Sequence, residues 1–267
     1  MSFSLSLSEV KARARRDSTQ PGAWDEIWES RKDLADWDYL SHVVFKEIIK
    51  HLPPDRKALL FETGSGSGRI SKRLSMLGYQ AGQIDCSFSA LQLSRNRMNN
   101  SGRFVAADIR KIPLRDQSHD VLWSSGVLEH FLEPELMDLF REFSRVLKPN
   151  GILISLVPYT YCMPYRLAKW SMERMGLWPY GREEPFVTLD SFCKAGGFLI
   201  EKEYTAAFST MGIQNLQYIP GLKKIGRVIG KLACQIYDAG PLRVWDHCCS
   251  SLFGGYLLVN VARKVSN

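Results

Sequence analysis

An acidic residue followed by glycine at every second position is the clearest chemical pattern in this sequence. Glu62 ends an apolar run, and three glycines stand at positions 64, 66 and 68 of the stretch LLFETGSGSGRI. Glycine lets the backbone turn tightly and approach a ligand closely, because it has no Cβ atom. A carboxylate at this place favours a compact ligand that carries positive charge. A tight turn without any ligand is the structural alternative.

Two common phosphate-binding patterns differ from this one. The dinucleotide pattern GxGxxG has its third glycine one residue later, at the position that Arg69 occupies here. A P-loop requires a Lys-Ser or Lys-Thr pair after the glycines, and no such pair follows. The sequence therefore argues against a nicotinamide or flavin enzyme and against a P-loop protein.

Strand-like apolar runs alternate with helical patterns from residue 58 onward. The runs are ALLF, a second that ends at Asp85, and then RFVAAD, HDVLWSS and, after a predicted turn at KPNG, ILISLVP. Helical patterns between them include 70–77, a helix that Ser87 can cap, and the stretch 127–147. With two further strands in GFLIEKEY and GGYLLVNVARK, this order predicts the α/β class. We expect a Rossmann-like, doubly wound, mostly parallel seven-stranded sheet with helices on both faces, plus lid insertions.

The acid-x-Gly-x-Gly-x-Gly pattern at residues 62–68 resembles the first motif of class I S-adenosylmethionine-dependent methyltransferases. AADIR, DVLWSSGVLEHF and REFSRVLKPNGILIS resemble later segments of that family in the same order. The tetrad VLEH is common in its type 11, ubiquinone-biosynthesis-like branch. The resemblance covers about residues 58–158 and resumes at the terminal strands. It implies S-adenosyl-L-methionine as cofactor, whose ammonium and sulfonium groups suit an acid beside the glycines.

The resemblance also implies which residues hold the cofactor. Asp85 ends the second strand, about 20 residues past the glycines, where an acid binds the ribose hydroxyls. Asp108 ends the third strand, where the family holds the adenine amino group. The predicted set is Glu62, Gly64, Ser65, Gly66, Gly68, Asp85, Cys86, Asp108, Ile109, Ser124, Ser125 and Gly126. For each acid, a solvated residue at the end of a strand is the alternative.

Two histidines are candidates for a general base. His130 lies in VLEHF beside the predicted cofactor pocket, where a structural histidine is an equally good interpretation, and His247 lies in the carboxyl-terminal insertion. An amine or thiol acceptor can react without a protein base, whereas a hydroxyl must lose its proton. The acceptor atom therefore stays open. No metal is predicted, because the six cysteines include no CxxC pair and no histidine stands at zinc-finger spacing.

Substrate selection is expected from segments outside the core. The predicted organisation is a helical extension that forms a lid (1–56), the cofactor-binding core (57–158), a lid insertion (159–187) and a carboxyl-terminal part of the core (188–267), with a helical insertion at about 209–251. The candidate substrate contacts are Trp28, Tyr159, Tyr161, Trp178 and Tyr180. These aromatic side chains can equally fill the core of the lid itself.

The 267-residue chain has the composition of an ordinary globular protein and a net charge of +7. No apolar run approaches the roughly 18 residues of a membrane-spanning helix. The amino terminus lacks the residue order of a secretory signal, so we expect a cytoplasmic protein. Residues 221–237 form a basic amphipathic pattern that can lie on an anionic membrane, which would make the protein peripheral to it. An ordinary lid helix with a solvated face is the alternative.

Together these features predict a methyltransferase that acts on a small-molecule, glycan or lipid-pathway acceptor by in-line methyl transfer. No nucleic-acid partner is expected, since SSGV at residues 124–127 stands where enzymes that methylate exocyclic amino groups of bases have an Asp/Asn-Pro-Pro-Tyr/Phe motif. A cofactor-binding scaffold without transfer activity is one alternative. A nucleic-acid or protein methyltransferase is the other.

Overall fold

Seven strands form one sheet at the centre of the protein. The computed structural model describes residues 22–29, 37–176, 178, 180–210 and 223–266. The strands are β1 (Leu59–Thr63), β2 (Gln80–Asp85), β3 (Arg103–Ala106), β4 (His119–Ser125), β5 (Leu147–Pro158), β6 (Phe198–Ala206) and β7 (Leu257–Lys264). Their order is β3-β2-β1-β4-β5-β7-β6, with β1 to β5 parallel and β7 antiparallel to both neighbours. The predicted mostly parallel seven-stranded sheet is confirmed.

Helices cover both faces of this sheet. They are α1 (Ala23–Glu29), α2 (Tyr39–Ile49), α3 (Arg69–Met76), α4 (Phe88–Arg97), α5 (Glu133–Val146), α6 (Met163–Arg174), α7 (Asp190–Ala195), α8 (Lys223–Ala239) and α9 (Pro241–Phe253). The chain winds outward from β1 to β3 and then resumes on the other side of β1 with β4. In such sheets ligands bind at the point where the strand order reverses, outside the carboxyl ends of the strands.

The two faces of the sheet carry separate hydrophobic cores, and β4 contributes to both. Val121 and Trp123 pack in the core that contains residues of α2, α3 and α8. Leu122, between them, packs in the other core with Phe140 and Phe143 of α5. Consecutive side chains of a strand point to opposite faces. This alternation explains why β4 is apolar without interruption from residue 121 to residue 123.

The stretch 127–147, predicted as one helical segment, is divided in the structure. Residues Leu128–His130 form a short 3-10 helix, and α5 begins after a break. Pro134 lies in the first turn of α5, where its missing N–H costs nothing; deeper in a helix it would remove a hydrogen bond. Glu135 Oε2 accepts the main-chain N–H of Leu132 at 2.9 Å and caps the start of α5. The break leaves the 3-10 helix free to face the ligand edge of the sheet.

The predicted turn at KPNG lies within the bounds of β5. Leu147 pairs with His119 of β4, but the next pair joins Ile152 to Val121, so four residues of β5 oppose one residue of β4. Asn150 adopts the left-handed conformation, with φ 62°. The turn is therefore a bulge inside the strand rather than a separate connection.

The carboxyl-terminal insertion contains two helices, α8 and α9, within the described residues. Cys248 and Cys249 lie on α9. Residues 221 and 222 of the predicted amphipathic segment lie outside the described residues, and α8 covers the remainder.

Candidate active site

A cavity of about 360 Å³ opens where the strand order reverses. Its walls are the glycine loop after β1, the residues that follow β2, β3 and β4, helix α1, and the neighbourhood of residues 178–183. The volume falls in the range of small-molecule sites, which is about 300–1,000 Å³. The position agrees with the ligand site expected for a doubly wound sheet.

The glycine loop is held close to its neighbours on both sides. Gly64 and Gly66 have positive φ values of 68° and 50°. A Cβ atom on Gly64 would lie 2.5 Å from the side chain of Val127, and one on Gly66 would lie 2.5 Å from the ring of Trp28. Any side chain at either position would therefore displace the cavity wall. Ser65, between them, also lines the cavity.

Gly68 and Ser124 are two predicted cofactor residues that do not line the cavity. A Cβ atom on Gly68 would lie 1.9 Å from Ser94 Oγ and 2.3 Å from Gln83 Oε1, so this glycine permits close packing of α3 against its neighbours. Ser124 is fully buried in the sheet beside its strand partner Ser155. Both predictions are corrected: these residues support the site without facing it.

Asp85 stands at the end of β2 and is almost fully buried in the cavity wall. Its Oδ2 accepts the main-chain N–H of Gly66 at 2.7 Å, and its Oδ1 accepts that of Ser87 at 2.8 Å. Burial raises the pKa of this carboxyl, although the two hydrogen bonds act against the rise. Cys86, next in the chain, lines the same wall, and burial raises its pKa to about 12, so it stays a thiol.

Asp108 follows β3 and lines the opposite end of the cavity, next to buried Ile109. The guanidinium of Arg110 binds both carboxylate oxygens of Asp108, at 2.6 Å to Oδ2 and 3.1 Å to Oδ1. Burial opposes ionisation of Asp108, but the hydrogen bonds from Arg110 outweigh it and lower the pKa. Asp108 is therefore a fixed carboxylate rather than a loose residue at the end of a strand. Ser125 and Gly126, after β4, complete the predicted residues of the wall.

Glu62 and Arg69 lie at the glycine end of the cavity. Glu62 Oε2 accepts a hydrogen bond of 2.5 Å from Ser71 Oγ, and burial raises its pKa to about 7. Arg69 pairs with Asp38 at 2.6 Å through Nη1. The Nε and Nη2 atoms of Arg69 are buried and donate no hydrogen bond to any described residue. Sequence analysis used Arg69 only to reject a dinucleotide site and missed it as a cavity residue.

His130 links two segments that border the cavity. Its Nδ1 lies 2.8 Å from the carbonyl oxygen of Arg182, so this nitrogen carries the proton and donates. A second hydrogen bond joins the same two segments, from the main-chain N–H of Glu184 to the carbonyl of Glu129 at 2.8 Å. Burial lowers the pKa of His130 to about 4, which leaves a neutral ring near pH 7. The residue lines the cavity, but so low a pKa makes it a weak base.

His247 does not belong to the site. It is exposed on α9 and is not among the residues that line the cavity, so the structure does not bring this predicted base to the site. Tyr159 and Tyr161 are also misassigned as substrate contacts, because their rings pack against each other 5.7 Å apart outside the cavity. Tyr159 in addition occupies the space beside Gly254.

The other predicted aromatic residues do line the cavity. Trp28 lies on α1 over the glycine loop, and Trp178 and Tyr180 pack against each other with centroids 5.4 Å apart. Trp24 of α1 was not predicted, and its ring meets that of His130 at 4.9 Å. Asp25 attaches α1 to the start of α4. Its Oδ1 accepts hydrogen bonds from Ser87 Oγ at 2.7 Å and from the N–H of Ser89 at 2.9 Å.

Sequence analysis missed two buried glutamates of the cavity, Glu129 and Glu183. They are 3% and 9% exposed, and in each the Oε2 atom receives no hydrogen bond from the described residues. Burial raises the pKa of both carboxyls, that of Glu183 to about 7, and the charge of Glu183 raises that of Glu129 further. The tetrad VLEH contained a signal for Glu129, since an acid there precedes the histidine. The stretch REEP, at residues 182–185, contained no pattern that indicated a functional role for Glu183.

Comparison with known proteins points to the same region. Residues 61–155 match the family model described as a methyltransferase domain. The chain is 30% identical over 135 residues to a malonyl-[acyl-carrier protein] O-methyltransferase of Marinomonas sp. (strain MWYL1), covering 46% of this chain and 48% of that protein. It is 31% identical over 124 residues to the ubiquinone/menaquinone biosynthesis C-methyltransferase UbiE of Azotobacter vinelandii, covering 43% and 48%. The chain thus matches about half the length of these curated relatives.

The similarity of fold extends further than the similarity of sequence. The structure of a complex between the Haloferax volcanii Trm112 methyltransferase activator and a methyltransferase gives a TM-score of 0.61. The match covers 94% of this chain and 99% of that chain at 18% identity. At this identity the likeness concerns the fold alone.

Proposed function

Since the chain belongs, through residues 61–155, to the class I S-adenosylmethionine-dependent methyltransferases, we propose that it transfers the methyl group of S-adenosyl-L-methionine to a small-molecule or lipid-pathway acceptor. The observation that carries the proposal is the glycine loop bonded through Gly66 to the buried carboxylate of Asp85. The acceptor class has weaker support. One relative is named for malonyl-[acyl-carrier protein] and the other for ubiquinone and menaquinone biosynthesis, and neither is named for a nucleic acid.

The cavity residues fit the charged groups of this cofactor. Glu62 suits the ammonium of the methionine part, and the unpartnered Nε and Nη2 atoms of Arg69 suit its carboxylate. Asp85 has acceptor capacity left for the ribose hydroxyls. Each oxygen of Asp108 already accepts two hydrogen bonds from Arg110, so an adenine amino group there would have to share or replace one of them. A pyrophosphate would instead meet several carboxylates, so the same wall disfavours a dinucleotide.

The protein's part in the reaction is to align the acceptor and to exclude water. When bound, the cofactor supplies a methyl group that is already activated by the sulfonium. Holding two reactants in line can be worth about 7–11 kcal/mol. Trp24 and Trp28 on α1 and Trp178 on the facing wall cover the cavity with apolar surface. The hydrogen bonds of Asp25 hold α1 in that position.

Calorimetry with S-adenosylmethionine and assays with a labelled methyl group test the two parts of the proposal. A hydrogen bond to a charged group contributes about 1.5–3 kcal/mol, so Asp85→Ala is expected to raise the Kd about 10- to 100-fold. Asp138→Ala, at an exposed position of α5, is the matched control. Failure of the wild-type chain to bind the cofactor contradicts the proposal, and equal affinity of the two variants removes Asp85 from the site.

Helix α8 carries an exposed apolar stripe. Ile225, Val228, Leu232 and Ile236 are 54%, 67%, 54% and 41% exposed. The opposite side of the helix is buried, with Tyr237 against Tyr39 of α2. Of the apolar face predicted from the sequence, Ile225, Leu232 and Ile236 face solvent and Ile229 is half-buried, while Leu222 lies outside the described residues. No helix among the described residues has the length and apolarity needed to cross a bilayer.

We infer that this stripe contacts an anionic membrane surface. The exposed side chains of Lys224 and Lys231 flank the stripe on the side away from the core. Apolar side chains bordered by lysines are the composition of helices that lie in the membrane interface. The lysines favour anionic lipid as the occupant, and such a contact would bring a lipid-like acceptor close to the cavity.

A further inference from the structure

The wall of the cavity near residues 178–183 has more carboxyl groups than cations to pair with them. Glu129 and Glu183 are buried there, each with one unpartnered carboxylate oxygen. Lys169 of α6 is the nearby cation that lowers the pKa of Glu183. Its Nζ is already hydrogen-bonded to Oε1 of Glu173. Three carboxyl groups therefore share one ammonium group. The hydroxyl of Tyr165 lies near Glu183 and also lowers its pKa, but neither this hydroxyl nor the Oε2 atom of either glutamate has a hydrogen-bond partner at bonding geometry among the described residues.

The proposed placement of the cofactor does not use this pair. It assigns Glu62 and Arg69 at the glycine loop to the methionine part and Asp85 at the end of β2 to the ribose, and all three line the cavity. Glu129 comes from the 3-10 helix after β4, and Glu183 from the segment after α6. The backbone hydrogen bond from Glu184 to Glu129 keeps these two segments side by side. The pair is thus available to a second molecule.

We propose that Glu129 and Glu183 bind the protonated amine of the acceptor, and that this amine is the atom that receives the methyl group. The inference rests on the proposed methyltransferase function and names its acceptor class. An ammonium provides N–H donors for both unpartnered oxygens and a positive charge that compensates the buried carboxylates. Trp178 adds an aromatic wall, and aromatic faces attract cations.

The pair also provides a place for the proton that must leave the amine. One carboxylate takes a proton from the ammonium, which frees the nitrogen lone pair. That lone pair forms the new N–C bond while the C–S bond breaks, and the electron pair of the C–S bond stays on sulfur as a neutral thioether. The methylated product carries the positive charge, and the carboxyl group then releases its proton to water. A pKa of about 7 for Glu183 allows both steps near neutral pH.

Selective blocking of amines tests the acceptor class. The full chain is incubated with methyl-labelled S-adenosylmethionine and a methanol–chloroform extract of the source cells, half of which is first treated with N-acetoxysuccinimide to acetylate its amines. We expect a labelled product, resolved by chromatography from the labelled cofactor, only in the untreated half, and we expect this product to bind a cation-exchange resin. Equal labelling of the acetylated half contradicts the amine and leaves the methyltransferase function intact. Label in neither half contradicts that function itself.

Two variants test the residues. Glu129→Gln and Glu183→Gln keep the side-chain shape but cannot take the proton, so transfer is expected to fall about 10²-fold or more. Their calorimetric affinity for S-adenosylmethionine is expected to stay unchanged, which also reports that they are folded. Glu184→Gln, an exposed neighbour, is the matched control and should keep wild-type transfer. Cofactor affinity that falls in parallel with transfer would assign the pair to the cofactor, and unchanged transfer would leave the pair without this role; either result overturns the inference.

Discussion

The main-chain N–H of Gly66 donates a hydrogen bond of 2.7 Å to Oδ2 of Asp85. The glycine loop and the acid at the end of β2 are therefore one unit rather than two separate ligand contacts. Ser87 fixes the other carboxylate oxygen at 2.8 Å. The carboxylate is oriented before a ligand enters, which reduces the entropy that binding must remove.

Replacement of Gly66 by alanine is expected to weaken cofactor binding about tenfold or more. The left-handed backbone costs a non-glycine residue about 1–2 kcal/mol, and the new Cβ would also lie 2.5 Å from the ring of Trp28. Gly78→Ala is the matched control, because Gly78 has φ 86° with nothing within 4 Å of a Cβ atom. We expect both variants to lose stability and only Gly66→Ala to lose affinity in calorimetry. Equal affinities would contradict the close approach.

Asp25→Ala is expected to accelerate dissociation of the cofactor about tenfold, since it removes charge-assisted hydrogen bonds that hold α1 to Ser87 and Ser89. Stopped-flow fluorescence of the α1 tryptophans measures this rate. Asp138→Ala, at an exposed position of α5, is again the control, because Glu29 of α1 also accepts a hydrogen bond from Ser89. A dissociation rate that does not change in Asp25→Ala would show that α1 is no lid.

The pH dependence of stability is expected to change in Glu183→Gln. Burial raises the pKa of Glu183 from 4.5 to about 7, so the folded state binds more protons than the unfolded state between these values. The free energy of unfolding of the wild type therefore decreases as the pH rises through this window, and the decrease is complete above pH 7. Glutamine has no such proton to lose. Its Tm should exceed that of the wild type at pH 8, by about 2–4 °C for each kcal/mol regained.

The same measurement separates a ligand site from a purely structural pair. If the glutamates stabilised the fold, Glu183→Gln would melt below the wild type at pH 8. Glu184→Gln is the control and should change the Tm at pH 8 by less than Glu183→Gln does, because the side chain of Glu184 is exposed and its ion pair with Arg182 lies at the surface.

Vesicle flotation tests the exposed stripe of α8. We expect the wild-type chain to float with vesicles that contain anionic lipid and to remain behind with neutral vesicles, because Lys224 and Lys231 accompany the apolar residues. The double variant Val228→Ser with Leu232→Ser should lose flotation. Leu199→Ser changes an equally exposed apolar residue on β6 and should keep it. Flotation of the double variant at the wild-type level would refute the contact.

Sequence patterns correctly predicted those site residues that lie at the end of a strand or in the turn that follows it. Gly64 and Asp85 follow this rule, because a strand that ends at the sheet edge delivers its last residue there. The same rule failed for Gly68 and Ser124, since spacing along the chain does not reveal which side of a loop or sheet a residue faces.

The buried pair Glu129 and Glu183 could not be predicted from the sequence, for a different reason. The two glutamates lie on separate segments, and no sequence motif around either one indicates that the other lies beside it. Two hydrogen bonds make them neighbours. The ring of His130 donates to the carbonyl of Arg182, and the main-chain N–H of Glu184 donates to the carbonyl of Glu129. Burial of a carboxyl without a partner is a property of packing, and no pattern in one segment encodes it.

The reciprocal bonds between residues 127–131 and 180–186 have a consequence for redesign. A grafted segment whose backbone follows a different path would not bring the His130 ring or the N–H of Glu184 opposite the carbonyl that accepts it here, and that carbonyl would lose its donor. New specificities in this scaffold should therefore be built by exchanging both segments as a matched set. Libraries that vary only one of them are expected to yield mostly unstable proteins.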